Sequence, residues 1–476
     1  MKDKQFFLNS AYNTLYQLLN VLFPLITAAY TSRILLPAGV GLVAYAQNLA
    51  QYFIIFAALG IPNYGIREIA KNKNNATALN ETFSELFILN AVSTSVSFIV
   101  YLITILMFQQ YNVQFNLYFV VGIGILFNYL NIDWLYQGLE QYKFITLRSF
   151  IVKILSLVLL LCMVHSKNDY IIYAGINVIA VGFNNIFNLC NLRNVSIKLT
   201  HHNLSFAKHL KPILILFSTV VSIQFYTLLN TSLLGMFSTT EDVAFYQSSQ
   251  RVIRIIITVI SALGGTLIPR LSSYGLDRDK SSYLIKNVFN VLFFLFLPAG
   301  IGIILTSHDI VLILFGNSFL PAVPTMQVSA LLIYTLGFSN LFGTQVLVTF
   351  GEENALLKST VIGAFVSVGL CILLIPHFGS VGAAISSVFS EALVTILTFS
   401  RARKILDLTF NKLFIVKTII STICMSLCVL ICTLHISYLY LNFVVSVFIG
   451  IFIYFLSSLV LKNDILVYMI KKKRSK

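Results

Sequence analysis

The chain has 476 residues, of which 58% are hydrophobic and only 10% are charged, and its mean hydropathy is +0.87. A soluble domain carries about 25% charged residues, so this composition excludes a water-soluble fold and indicates an all-α polytopic membrane protein. The net charge of +15 would suggest a nucleic-acid surface in a soluble protein. Here the basic residues follow the membrane topology, and we expect no nucleic-acid partner.

The topology follows from the apolar stretches and from the basic residues between them. A spanning helix needs about 20 mainly apolar residues, and the chain contains about fourteen such stretches. If the N-terminus is cytoplasmic, nearly all of the 32 Lys and Arg residues belong to inner segments. The predicted outer loops hold only Arg33 and Lys167. We therefore predict an even number of spans with both chain ends in the cytoplasm.

A weak internal repeat predicts two lobes. Thr31-Ser32 is echoed by Thr231-Ser232, and Ala44–Gln47 by Ala244–Gln247, at equivalent points of the topology. Six helices per repeat give two halves that insert the same way up. We predict an N-lobe over residues 1–204 and a C-lobe over residues 205–404, enclosing a central cavity. Helices 13 and 14 and a basic cytoplasmic tail occupy residues 405–476.

The first two predicted helices are unusually polar. Their amides and hydroxyls recur at three- or four-residue spacing and therefore share a helix face. Such residues can hold helices together through hydrogen bonds, but the length of the stripe favours the wall of a water-filled cavity. We predict that substrate binds to four residues of this stripe, Asn20, Gln47, Asn48 and Gln51, and to Arg33 in the first outer loop. The polar set is Asn9, Asn13, Gln17, Asn20, Thr27, Gln47, Asn48 and Gln51.

Two acidic residues lie deep in predicted spans. Asp133 precedes the only tryptophan, Trp134, and Glu391 falls midway along the twelfth predicted helix. Burial raises the pKa of a carboxyl group, so either residue is a candidate for carrying a coupling proton. The alternative is that each acid pairs with an arginine or completes a packing network.

Two arginines in the eighth predicted helix are the most informative residues. Arg251 and Arg254 share a face with Gln247 and Gln250. Arg254 lies near the middle of a hydrocarbon layer about 30 Å thick, where an arginine costs about 2.5–3.5 kcal/mol. It must therefore face water, an anion or an intramembrane acid. A guanidinium binds phosphate oxygens bidentately, and amides suit sugar hydroxyls, so we predict a phosphorylated, polyhydroxylated substrate.

No catalytic or metal-binding motif accompanies these residues. Cys424, Cys428 and Cys432 share a helix face, with His435 nearby, but they lack the usual ligand spacing. We predict no metal, no cofactor and no enzymatic activity.

Several segments, taken in order, resemble the Wzx-type polysaccharide flippases of the multidrug/oligosaccharidyl-lipid/polysaccharide exporter superfamily. They include residues 33–41 and 60–70, which look like the first outer and inner loops of that family, and residues 314–319 and 351–358. The most specific segment runs from Asp133 to Glu140, followed by Lys143 and Arg148. One departure is Asn230, because the resemblance implies an acid at this position. If that acid carries protons in the family, ion coupling in this chain must use another residue or none.

The resemblance implies a function and a location. It implies that the protein moves undecaprenyl-diphosphate-linked oligosaccharide repeat units from the inner to the outer leaflet of a bacterial cell membrane by alternating access. Its partners would be that lipid-linked substrate, membrane lipids, and the polymerase and glycosyltransferases of surface-polysaccharide synthesis.

Three alternatives stay open at this point. A multidrug cation exporter of the same superfamily would want an acidic cavity, which the arginines do not favour. A peptidoglycan lipid-precursor flippase would handle the same lipid diphosphate. A membrane polysaccharide polymerase would need a catalytic group, and the sequence shows none.

Overall fold

The computed structural model describes residues 2–195, 197–200, 204–264, 278–463 and 465–466, and within these ranges the chain is helical without strands. Ten helical stretches in the described part are long and apolar enough to cross a membrane. Two of them, Leu15–Asn72 and Glu353–Ile405, are more than twice the length of one span. Their helices are interrupted by non-helical residues, at Leu36 in the first stretch and at Gly379 in the second. The predicted all-α polytopic fold is confirmed. The basic C-terminal tail and the side chain of Asn9 lie outside the described residues.

The helices are numbered here in chain order. The first half of the chain contains α1 (Lys2–Ala58), α2 (Ile61–Asn72), α3 (Ala76–Met107), α4 (Gln109–Asn112), α5 (Phe115–Leu126), α6 (Asp133–Gly138), α7 (Tyr142–Met163) and α8 (Tyr170–Cys190). The second half contains α9 (Ala207–Phe237), α10 (Thr240–Gly264), α11 (Arg278–Leu314), α12 (Ala322–Ser329), α13 (Leu332–Ser339), α14 (Glu353–Ile405), α15 (Lys412–His435) and α16 (Leu439–Val460). A π-helical segment, Asn340–Leu347, follows α13.

The chain forms two compact units. Unit 1 comprises Met1–Thr27 and Ile34–Gly235, and unit 2 comprises Ala28–Arg33 and Met236–Lys476. The units are defined by packing, whereas the lobes predicted above follow a sequence repeat. The lobe boundaries at 204/205 and 404/405 therefore stay predictions.

Helix α9 belongs to unit 1 as far as Gly235. In its first half, the backbone nitrogen of Phe217 would lie 2.8 Å from a Cβ built on Gly60, which has a φ of 73°, so only glycine allows this approach. Near its C-terminal end, Ser232 accepts a hydrogen bond from the Asn48 amide at 2.8 Å and lies 3.0 Å from the Tyr52 hydroxyl. These contacts explain why the seventh long helix belongs to unit 1.

The connection into α9 is bound to α3 by backbone hydrogen bonds. The Lys198 and Thr200 N–H groups donate to the side chains of Asn80 and Ser84, and Ser205 N–H donates to Glu85 at 2.6 Å. Three polar side chains of α3 therefore satisfy backbone groups of an irregular segment that runs beside apolar helices.

A buried polar cluster fastens the start of α9. The completely buried Glu85 carboxylate lies 2.7 Å from His209 Nε2 and 2.8 Å from Lys208 Nζ. On the other side of the imidazole ring, His209 Nδ1 lies 2.8 Å from the Tyr64 hydroxyl. The cluster joins α2, α3 and α9 through one imidazole ring.

We expect Tyr64→Phe to destabilise the protein by about 1–2 kcal/mol, because a buried imidazole nitrogen loses its only hydroxyl partner. The thermal unfolding midpoint in detergent measures this change. Tyr283→Phe is the matched control, since the Tyr283 side chain is 70% exposed and its replacement is expected to leave the midpoint unchanged. Equal midpoints for Tyr64→Phe and wild type would contradict the expectation.

The predicted fourth span is broken rather than continuous. After α5, residues Phe127–Leu130 form a short 3-10 turn, and α6 starts again at Asp133. The carbonyl groups released by the break are satisfied by amides, since Asn90 donates to the Asn128 carbonyl at 2.6 Å and Asn185 to the Phe127 carbonyl at 2.8 Å. Irregular backbone at membrane depth needs such internal partners.

A second break, in α14, is held by an aspartate of unit 2. Gly379 has φ 50° and ψ −127°, and a Cβ built there would lie 2.6 Å from an Asp242 carboxylate oxygen. The same carboxylate accepts the Ser380 N–H at 3.0 Å. Asp242 lies in the first turn of α10, so this contact joins the start of α10 to the middle of α14.

Candidate functional site

The two arginines predicted to bind substrate lie in the middle of α10. Arg251 and Arg254 are eleven and fourteen residues beyond Thr240, about 16 and 21 Å along the helix axis. Arg251 is half-buried and Arg254 is exposed. Neither guanidinium forms an ion pair or a hydrogen bond with any residue in the described ranges. Within those ranges, the alternative of a salt bridge to an intramembrane acid is not realised.

The glutamines on the same helix are more buried. Gln250 is 7% exposed, and its amide nitrogen has no hydrogen-bond partner among the described residues. Gln247 is half-buried and interacts with a neighbour. Both stay predicted substrate-binding residues.

The amides of the second span divide into two groups. Asn48 is 5% exposed and donates to Ser232 and to the Leu228 carbonyl, so its side chain is used in holding α9. Gln47 and Gln51 lie one helical turn apart and are half-buried, and neither forms a side-chain hydrogen bond within the described part of the chain. Gln47 and Gln51 are therefore available to a ligand, whereas Asn48 already has two partners.

Arg33 contacts the end of a helix. Its Nη2 donates to the Ile313 carbonyl at 2.6 Å, in the last turn of α11, and its Nη1 lies 3.4 Å from the Ala29 carbonyl. A cation at a helix C-terminus satisfies free carbonyls and interacts favourably with the helix dipole. The surrounding residues are helical, with a break at Leu36 (φ 59°), rather than the loop that the sequence suggested. Binding of substrate by Arg33 stays a prediction.

The predicted substrate-binding residue Asn20 contacts a lysine, Lys153, that the sequence did not indicate as its partner. Lys153 Nζ donates to Asn20 Oδ1 at 2.7 Å and lies 5.8 Å from the centre of the Phe23 ring. Lys153 is eleven residues into α7, about 16 Å from its start. The available signal was its position inside the apolar run Ile151–Met163.

Asp133 takes part in a tight polar network. Its carboxylate accepts from Arg148 at 2.9 and 3.3 Å and from the Asn188 amide at 2.7 Å, and Arg148 also contacts the Asn188 side-chain oxygen. The Arg148 side chain is 3% exposed. Of the two interpretations of Asp133, this geometry matches the ion pair, and its role in coupling stays a prediction.

Glu391 lies twelve residues beyond the break at Gly379, in the middle of the second half of α14. It is 8% exposed, and the Thr395 hydroxyl next to it donates to the Glu391 and Thr335 carbonyls. The site is suitably buried for a coupling group, and that role stays a prediction. Among the described residues, no three His, Cys, Asp or Glu side chains are grouped to hold a metal ion.

Each unit therefore carries its own polar residues along its helices. In unit 1 these are Asn20 with Lys153, and the half-buried pair Gln47 and Gln51. In unit 2 they are the α10 residues Gln250, Arg251 and Arg254. Guanidinium and ammonium groups bind oxyanions, and amides donate to and accept from hydroxyl groups. Both units have the chemistry to bind an anionic, hydroxyl-rich molecule.

Comparisons with known proteins give a consistent result. The model of a family described as "Polysaccharide biosynthesis protein" matches residues 7–274. A putative O-antigen transporter of Escherichia coli K12 is 24% identical over 405 residues, covering 84% of this chain and 97% of that protein. A probable low-salt glycan biosynthesis flippase of Haloferax volcanii is 28% identical over 190 residues, covering 38% of this chain and 39% of that protein.

Two solved structures share the fold. The lipid II flippase MurJ, in an inward closed conformation, matches with a TM-score of 0.74 and 14% identity, covering 96% of this chain and 98% of that one. A multidrug resistance MATE family transporter, in an inward-facing conformation, matches with a TM-score of 0.66 and 15% identity, covering 81% and 94%. At these identities the likeness concerns the fold alone.

Proposed function

Because this chain belongs to the polysaccharide biosynthesis protein family, we propose that it is a flippase for lipid-linked oligosaccharides. The substrate is an undecaprenyl-diphosphate-linked repeat unit, carried from the inner to the outer leaflet of a bacterial cell membrane by alternating access. The relatives named as an O-antigen transporter and as a glycan biosynthesis flippase support a polysaccharide-related substrate. The multi-pass fold supports transport, and the protein carries out no bond-forming chemistry of its own.

The observation that carries the proposal is the pair of unpaired arginines in α10. Arg251 and Arg254 lie in the middle of α10, which we propose crosses the membrane, and they have no acidic partner in the described ranges. Each imposes an insertion cost of about 2.5–3.5 kcal/mol that an oxyanion or water must offset. A diphosphate supplies several oxygens for bidentate contacts. A cation exporter has no use for this charge, so the arginines disfavour the multidrug alternative.

The energetics of flipping explain why polar side chains are needed in a membrane. Each sugar hydroxyl that enters hydrocarbon without a hydrogen-bond partner costs several kcal/mol. Amides such as Gln47, Gln51 and Gln250 replace water for those hydroxyls. An inside-negative potential favours outward movement of the diphosphate by about 2.3 kcal/mol per charge for each 100 mV.

The orientation and partners form part of the same proposal. The distribution of basic residues favours a cytoplasmic location for both chain ends, and in this orientation the inner side faces the glycosyltransferases that build the repeat unit. The polymerase that consumes the unit acts at the outer side.

The proposal is tested by reconstituting the purified protein into lipid vesicles with a labelled undecaprenyl-diphosphate oligosaccharide. Flipping is measured as the fraction of label that becomes accessible to an impermeant reagent. We expect flipping faster than in protein-free vesicles, and faster again when a potassium gradient sets the starting side negative. An undecaprenyl-linked oligosaccharide without phosphate is the control and is expected to flip poorly. No difference between vesicles with and without protein would contradict the proposal.

A further inference from the structure

Two of the three basic residues of α7, Arg148 and Lys153, differ in their partners. Arg148 has a carboxylate partner, Asp133, and an amide partner, Asn188, and is almost completely buried. Five residues further along, Lys153 is half-buried, and no carboxylate of the described residues lies within ion-pair distance of its Nζ. Arg148 is explained by its ion pair, whereas Lys153 is not.

The contacts of Lys153 do not neutralise its charge. Asn20 Oδ1 accepts one of the three ammonium hydrogens at 2.7 Å, and the Phe23 ring lies 5.8 Å from Nζ. An amide and an aromatic ring attract a cation only weakly. Two donor positions are left for another acceptor at about the middle of a helix of 22 residues. A lysine at this depth needs water or an anion.

The seam between α1 and α7 sets the position of this group. The Thr146 hydroxyl lies 3.0 Å from the Tyr12 carbonyl, and Lys153 contacts Asn20 about two turns further along both helices. The helices therefore run in the same direction with a regular register. Asn20 is exposed, so the amide that holds the ammonium group is also accessible from outside unit 1.

We propose that Lys153 and Asn20 form an oxyanion-binding site of unit 1, separate from the arginines of α10. The site rests on the proposed flippase function, and its ligand is an acidic group of the transported molecule. Two groups share this chemistry: the diphosphate of the lipid carrier and the carboxylate of an acidic sugar. Lys153 supplies the charge, and Asn20 holds the ammonium group in place.

Binding measurements with three probes identify the source of the anion. The probes are undecaprenyl diphosphate, the same lipid with a neutral disaccharide, and the same lipid with a disaccharide that contains a uronic acid. Each is titrated against the full-length protein in nanodiscs, as wild type and as Lys153→Met. Lys286→Met is the control, because Lys286 is bonded to Asp407 and Thr409 near the start of α11.

We expect Lys153→Met to weaken binding by about tenfold or more, the usual effect of losing a charge-assisted hydrogen bond. An equal loss for all three probes assigns the site to the diphosphate, and a loss confined to the uronic acid probe assigns it to the sugar. Unchanged affinity for all three probes would overturn the site and leave the flippase proposal intact. Failure of wild type to bind any probe would count against the flippase proposal itself.

A second measurement separates ligand binding from folding. Without ligand, Lys153→Met is expected to unfold at the same temperature as wild type or higher, because an uncompensated charge is removed. The stabilisation that saturating undecaprenyl diphosphate or uronic acid probe gives to wild type is expected to be reduced in this variant. A lower midpoint without ligand, together with unchanged ligand stabilisation, would show a structural lysine and refute the site.

Discussion

The double variant Arg251→Gln/Arg254→Gln is expected to lose at least about 99% of flipping activity while inserting normally. Each guanidinium that binds a phosphate contributes about 1.5–3 kcal/mol, which corresponds to about a tenfold to hundredfold effect on affinity. Glutamine keeps hydrogen-bonding groups and a similar length but removes the charge. The vesicle assay measures the flipping rate, and surface polysaccharide in cells gives an independent readout.

Protein level and thermal stability distinguish this loss from misfolding. Removing an arginine from membrane depth relieves an insertion cost, so the double variant is expected to be at least as stable as wild type. Arg401→Gln is the matched control, because Arg401, near the C-terminal end of α14, forms a 2.6 Å ion pair with Glu352. Lysine at positions 251 and 254 is expected to restore activity only in part, since it cannot bind bidentately. Wild-type flipping by the glutamine variant would remove both arginines from the site.

The second large effect concerns stability rather than transport. Arg148→Met is expected to lower the free energy of unfolding by about 3 kcal/mol or more, because the partly buried Asp133 carboxylate loses its charged partner. The expected signs are a lower thermal midpoint in detergent and less protein in the membrane.

A double-mutant cycle tests whether the effect comes from the pair. Asp133→Asn combined with Arg148→Met removes both charges, and the double variant is expected to be more stable than Arg148→Met alone. Lys153→Met, on the same helix, is the control for loss of a cation without an acidic partner. Additive losses in the cycle would show that the two residues stabilise the protein independently. If the double variant still flips substrate with unaltered pH dependence, Asp133 is not the coupling residue.

The membrane fold could be predicted from the sequence because each span is a local property. An apolar run of about 20 residues forms a helix in lipid whatever its neighbours are. The membrane depth of Arg251 and Arg254 stays a prediction, because α10 is not among the ten described helical stretches that are apolar enough to cross a membrane. The family resemblance, based on ordered segments such as residues 133–140, is confirmed.

Several residue partners could not be predicted in this way. The contact of Lys153 with Asn20 could not be predicted from the positive-inside rule, because that rule counts charges near helix ends and does not single out one in the middle of α7. Arg33 resembled a loop residue, but it bonds a carbonyl 280 positions away in the chain. Asp133 contacts Arg148 and Asn188, which lie 15 and 55 positions away in the chain, and the sequence pattern did not identify either partner.

The amino-acid sequence alone predicts an all-α membrane protein with cations and amides within its helices, because the apolar character of each span is a property of that span. Tertiary contacts determine which polar side chains already have partners and which are available to a ligand. Asn48 and Gln47 are adjacent in the chain, yet one holds α9 and the other is unbonded within the described ranges. That difference depends on which helix packs against each face, and such contacts join residues far apart in the chain.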